Sequence, residues 1–188
     1  CGQIPSVLRT APLDPRGANT SDPLFIVNHF PGETIEDAHE QKIDSINQVV
    51  DELCKKRDQM ISAGINSDSI VLDPGIGFGK TMALNWQLLE FPVYVENFSV
   101  MIGSSRKRFI DEIERLRGGT MERWFEKWEM SEKDFEALGK GRFSPEANRV
   151  VERIAVDSGA RYVRTHEILG KKDRTIELRD DEVSEGDE

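Results

Sequence analysis

Side chains able to do chemistry in this 188-residue chain fall into four groups, each directly behind a short apolar run. Asn28 and His29 follow Leu24-Phe25-Ile26-Val27, and Asp73 follows Ile70-Val71-Leu72. Arg106, Lys107 and Arg108 come just after Ser99-Val100-Met101-Ile102-Gly103, and Arg164 and His166 after Ala160-Arg161-Tyr162-Val163. One carboxylate among several cations suits a ligand that carries both an amidine-like donor edge and an anionic group. Behind Asp73, the glycines at 75, 77 and 79 let the backbone take positive φ and come close to a bound molecule.

The same stretch has a rival reading. Gly79-Lys80-Thr81 supplies the second half of a phosphate-binding P-loop, which would make the chain an NTPase. The first glycine of that motif falls at Pro74, which has no N–H to give a phosphate and a fixed φ. A glycine-rich turn with no ligand is the plain alternative, and it leaves the acid at the strand end without a reason.

The elements that must position these groups can be read from periodicity. Each apolar run predicts a short buried strand. Thr34, with Asp37 as capping-box partner, predicts the start of one long helix through Ile43, Ile46, Val49, Val50, Leu53, Met60 and Ile61 to Gly64. Met82, Leu84, Trp86, Leu88 and Leu89 predict a second helix, ended by Phe91-Pro92. A longer connection from Ile110 to Phe143 carries Met121, Trp124, Phe125 and Trp128 at helical spacing, an aromatic stripe of the kind that packs, and a capping box at Ser131 to Asp134. Ser144-Pro145-Glu146 opens a last helix with Val150, Val151, Ile154 and Ala155 on its buried face. Strands alternating with helices predict an α/β fold with a parallel sheet, in which the four polar groups converge at the carboxyl ends of the strands.

Composition bounds the partners. The net charge is -10 with 32% charged residues, a poor match to nucleic acid or an anionic membrane, so any bound anion must be held by a local cation cluster. No apolar run reaches the length of a membrane span. Two cysteines, Cys1 and Cys54, point away from a disulfide framework or a metal site and towards a cytoplasmic location. Residues 1–23, with several prolines, read as an irregular lead-in, residues 24–170 as the folded unit, and the charged residues 171–188 as a disordered tail.

Taken together, Asp73-Pro74-Gly75-Ile76-Gly77-Phe78-Gly79-Lys80-Thr81 with Asn85, Gly103-Ser104-Ser105-Arg106-Lys107, and Arg164-Thr165-His166 resemble three ordered strand-end motifs of dihydropteroate synthase, and Phe25 to His29 is similar to the strand before them. The resemblance implies a TIM barrel, of which this chain matches the second half. It also implies condensation of p-aminobenzoate with 6-hydroxymethyl-7,8-dihydropterin diphosphate, giving 7,8-dihydropteroate and pyrophosphate in folate biosynthesis, with Mg2+ as cofactor. In that likeness Asp73 holds the amino-pyrimidine edge of the pterin. Lys107 meets the pterin carbonyl and ring nitrogen, Phe78 walls the aminobenzoate pocket, and Arg164 and His166 hold the leaving diphosphate. Gly103 and Asn28 line the pterin site, Asn28 replacing a usual methionine. Related barrels imply a second possibility, a pterin-binding module without synthase activity, and a noncatalytic remnant is the third. Half a barrel leaves sheet edges unpaired. A complementing half, from upstream sequence, a second chain or a homodimer, is therefore expected, and the chain alone is expected to lack full activity.

Overall fold

The computed structural model describes residues 7–8, 23–95, 97–117, 119 and 121–166. Its sheet runs in sequence order: β1 (Val7–Leu8), β2 (Leu24–Asn28), β3 (Ile70–Asp73), β4 (Ser99–Ile102) and β5 (Tyr162–Val163). β1 pairs antiparallel with β2, within the segment expected to be irregular. The rest of that lead-in and the tail expected beyond residue 170 lie outside the described residues. β2 to β5 are parallel neighbours. A doubly wound sheet reverses its strand order at a switch point, whereas these four strands advance in one direction, as in a sector of a (β/α)8 barrel.

β3 is buried along its whole length because it has a partner on each side and helices packed behind it. Ile70 and Leu72, spaced two apart on one face, join Val27, Val100, Ile102, Val49, Leu53, Val151 and Ile154 in one core. The strand bounds match the apolar runs, with one instructive difference: Asn28 and Asp73 are inside their strands and face one another in register. The acid is thus held by the ladder itself.

The single helix expected from Thr34 to Gly64 is two. α1 (Ile35–Glu40) has the expected capping box, with Asp37 N donating to Thr34 Oγ1 and Thr34 N to Asp37 Oδ2. The chain then turns extended, and Ser45 caps a new helix, α2 (Ile46–Ser62). Ile43 is buried as its apolar character requires, but in a parallel bridge to Lys80: its N donates to Gly79 O and its O accepts from Thr81 N, both at 2.9 Å. Satisfying the backbone of the glycine loop outweighs helix continuity here. α3 (Met82–Gln87) starts at the Thr81 cap and continues as 3₁₀ turns over Leu88–Tyr94, running two residues past the expected stop at Pro92.

The longer connection forms α4 (Ile113–Leu116), α5 (Glu122–Lys127) and α6 (Glu132–Gly139), the last with the expected capping box. Its aromatic residues pack. Phe125 and Trp128 lie 5.8 and 6.4 Å from the ring of the fully buried Trp86. Trp128 Nε1 also donates to Glu90 Oε2 at 2.9 Å, while Lys127 Nζ meets Glu90 Oε1 at 2.9 Å, so a carboxylate that is 1% exposed keeps both oxygens satisfied. α7 (Pro145–Asp157) closes the unit, with Ser144 Oγ accepting from Ala147 N.

Because Trp128→Phe removes one of those two donors and keeps most of the ring, it should cost about 1–3 kcal/mol of stability. Urea unfolding checks this; an unchanged midpoint would show that Glu90 is satisfied without the indole N–H.

Candidate functional site

Asp73 ends β3 with its carboxylate turned into the protein, 1% exposed. Its Oδ1 accepts from Gly75 N at 2.8 Å. Among the described residues its Oδ2 has no hydrogen-bond partner, and it lies 3.7 Å from Arg164 Nη2, outside hydrogen-bond length. A buried carboxylate oxygen left without a donor is costly, and such a group marks a place where a ligand donor fits.

Arg164 comes from the far side of β4. Its N donates to Ile102 O at 2.9 Å, which extends the β5 ladder by one residue and brings the guanidinium across Gly103. A Cβ at Gly103 would lie 2.6 Å from Arg164 Nη2, so a larger residue there would push the guanidinium out of this position.

Lys107 is delivered by a tight turn, Lys107 N donating to Ser104 O at 3.2 Å, with Arg106 at φ 59°. That left-handed residue is pinned by Asn148 of α7, whose Oδ1 accepts from Arg106 N at 2.7 Å while its Nδ2 donates to Arg142 O and Ser144 O. The Lys107 ammonium reaches 4.6 Å from the centre of the Phe78 ring, a cation–π contact, and its stem passes over Gly77. Its pKa is held below the usual lysine range, first by burial and then by the Arg164 charge, with Asp73 pulling the other way. Phe30 braces Phe78 edge-on at 5.2 Å.

The structure therefore gathers Asp73, Phe78, Gly103, Lys107 and Arg164, and places Asn28 beside them as the ladder partner of Asp73. His166 is exposed and is tied in through its backbone, its N donating to Ser105 Oγ at 3.3 Å. Arg108 is exposed.

Lys80 is not a P-loop lysine. It is 8% exposed, and its ammonium points back into the loop, donating to Phe78 O, Gly75 O and His29 O. Nothing is left of it for a nucleotide phosphate, and the residue in the place of the first P-loop glycine is Pro74.

Residues 15–166 match the model of a family described as pterin binding enzyme. This chain belongs to the pterin-binding enzyme family. It is 31% identical over 141 residues to dihydropteroate synthase of Streptococcus pyogenes, an alignment that covers 72% of this chain and 45% of that protein. Among solved structures, it is similar to dihydropteroate synthase from Thermus thermophilus in complex with 4-aminobenzoate, with a TM-score of 0.53 and 26% identity over 76% of this chain and 48% of the other. It is also similar to a dihydropteroate synthase from Coxiella burnetii in complex with pteroic acid, with a TM-score of 0.52 and 26% identity over 77% and 46% of the two chains. The chain spans about half the length of the relatives it matches.

Three residues that hold the site in place were not apparent as such from sequence. Lys80 and Asn85 sit inside the signature, but their inward roles do not show in a linear motif: Asn85 Oδ1 accepts from Gly77 N at 2.7 Å. Asn148 is 42 residues from the backbone it holds, and no local signal points to it. His29, expected near the ligand, is instead fully buried behind the strand end, with Nε2 3.1 Å from Glu52 Oε2 but poorly aligned for a hydrogen bond. Burial first, and the Lys80 charge second, hold its pKa down at about 4, with Glu52 opposing.

That depression sets a pH window. Between about 6.5 and about 4 the unfolded chain binds a proton that folded His29 refuses, so its contribution is complete above pH 6.5 and is lost as pH falls towards 4. The loss should reach up to about 3 kcal/mol and shrink in His29→Gln, measured as urea midpoints at pH 7 and pH 4.5. Equal acid losses in the two proteins would move the sensitivity to other groups.

Proposed function

We propose that this chain forms the substrate-binding face of a dihydropteroate synthase, joining p-aminobenzoate to 6-hydroxymethyl-7,8-dihydropterin diphosphate with release of pyrophosphate. The observation that carries this reading is the buried Asp73 Oδ2, an acceptor without a donor among the described residues, 3.7 Å from Arg164 and within the field of Lys107, which lies over the Phe78 ring. A pterin supplies what it lacks: an amino group and an adjacent ring N–H that donate side by side, and a flat face. The pterin-binding family and relatives with 4-aminobenzoate or pteroic acid bound support the same reading.

In this reading Asp73 accepts from the amino-pyrimidine edge, where low exposure strengthens an ionic hydrogen bond. Lys107 donates to the pterin carbonyl and ring nitrogen. Its position over Phe78 puts it at the border with the aminobenzoate pocket that Phe78 walls. Arg164, half exposed at the mouth, stacks on the pterin and, with His166, stabilises the charge that grows on the departing diphosphate. The amine nitrogen then attacks the methylene carbon as its bond to the diphosphate oxygen breaks, and the amine proton passes to solvent. Asn28 and Gly103 shape the pterin floor. No enzyme nucleophile is required.

Magnesium has no evident holder. Among the described residues no three His, Cys, Asp or Glu side chains converge, and the Asp73 carboxylate is taken up by Gly75 N and faced by Arg164. These described side chains do not by themselves form a site for a resident magnesium ion.

A complementing half-barrel, from a second chain or a second copy of this one, belongs to the same proposal. The four parallel strands, which advance in one direction without closing among the described residues, support it. No helix among the described residues is long and apolar enough to cross a membrane, and the sparing use of cysteine supports a cytoplasmic setting. Pterin binding without condensation is the second reading, favoured by the family's description as pterin binding enzyme.

Asp73→Asn should weaken binding of the pterin diphosphate by about 10- to 100-fold with the circular dichroism spectrum unchanged, the loss of one charged hydrogen bond. Condensation by this chain alone should fall well below that of a full-length relative assayed in parallel. Unaltered pterin affinity in the variant would remove Asp73 from the site, and full turnover by the chain alone would remove the need for a complement.

A further inference from the structure

Lysines are rarely buried without an acid at hydrogen-bond distance, and Lys80 is an exception. Its ammonium has three protons and meets three carbonyl oxygens: Phe78 O at 2.9 Å, Gly75 O at 3.0 Å and His29 O at 3.4 Å. Two of these belong to the glycine loop and the third to the exit of β2, so one side chain ties two strand ends together. Gly75 O is shared, since it also accepts from Phe78 N at 3.1 Å and closes a turn over residues 75–78. Asn85 holds the same turn by the opposite polarity, taking Gly77 N on its Oδ1 and giving its Nδ2 to Lys80 O.

What rests on this turn is the Phe78 side of the site. The Phe78 ring projects from it, and the Lys107 stem lies across Gly77. Asp73 depends on it less. Its backbone belongs to the ladder, with His29 N donating to Asp73 O at 2.8 Å; of its hydrogen bonds only the one to Gly75 N reaches the turn, while the Lys80 charge attracts its carboxylate from a distance.

We propose that Lys80 is a positioning residue for the aminobenzoate side of the site: by gathering the carbonyls of His29, Gly75 and Phe78 it fixes the turn that aims the Phe78 ring and supports Lys107. The assignment rests on the synthase reading for the identity of the ligand, and on the geometry alone for the fixing of the turn. It gives the motif lysine a task that involves no phosphate.

The test is Lys80→Met, which keeps the stem and removes the ammonium. Hydrogen exchange at the Phe78 amide should quicken about tenfold, and p-aminobenzoate should bind pterin-diphosphate-saturated protein about tenfold more weakly, while affinity for the pterin diphosphate moves less than about threefold. Lys80→Cys, unfolded, alkylated with 2-bromoethylamine and refolded, restores the ammonium on a near-identical stem and should recover both quantities; wild-type protein treated in parallel accounts for Cys1 and Cys54. If the methionine variant does not fold, Lys80→Arg keeps the charge, but its planar fork cannot meet three converging carbonyls, and it should show the same split. Equal weakening of both ligands, unchanged exchange, or failure of the aminoethyl group to recover the exchange rate and the p-aminobenzoate affinity would overturn the proposal. Wild-type protein that binds neither ligand while its exchange still responds to Lys80 would sink the synthase reading and leave the fixing of the turn in place.

Discussion

A carboxylate carried to the end of a central strand, sealed from water and given only half of its hydrogen bonds, is the constraint to which the rest of this molecule answers. Asp73 cannot relax, because β3 has a neighbour on each side and its last residue is registered against Asn28. Nor does Arg164 neutralise it fully, because at 3.7 Å it attracts without donating. The fold thus maintains an unsatisfied acceptor at a cost in stability, the usual mark of a binding position in an otherwise satisfied interior. The cations opposite it matter for the same reason. In a chain with net charge -10 they are not a general attraction for anions but a local one.

Much of this arrangement could be read from residue order, for a simple physical reason. Parallel strands joined by crossovers all end on one side, so polar residues placed after apolar runs must meet, however far apart they are in sequence. Asp73, Lys107 and Arg164 follow from that rule. What could not be read depends on contacts that leave no periodic trace. Ile43 keeps helical spacing with Ile46 and Val49, yet it leaves the helix to pair its backbone with Gly79 and Thr81. Asn148 looks like one more polar position on α7, although it holds the left-handed Arg106. Lys80 has the identity and the place of a phosphate-binding lysine, and only the direction of its side chain separates the two roles.

The glycine loop shows how a short segment can be made rigid without side-chain packing. Its polar backbone groups are answered individually: Asn85 takes an N–H, Lys80 takes carbonyls, and Ile43 bridges the flank. At Gly75, with φ +66°, an added Cβ would fall 2.1 Å from His29 O, so the loop and the β2 exit are already in contact. Such a loop holds its shape before any ligand arrives, which lowers the entropy lost on binding.

The proximity of Lys107 to Arg164 has a consequence for the energetics of occupancy. Burial first, and the Arg164 guanidinium second, hold the Lys107 pKa down, and an acceptor that meets the ammonium offsets both. Occupancy by such an acceptor therefore strengthens the hold of Lys107 on its proton.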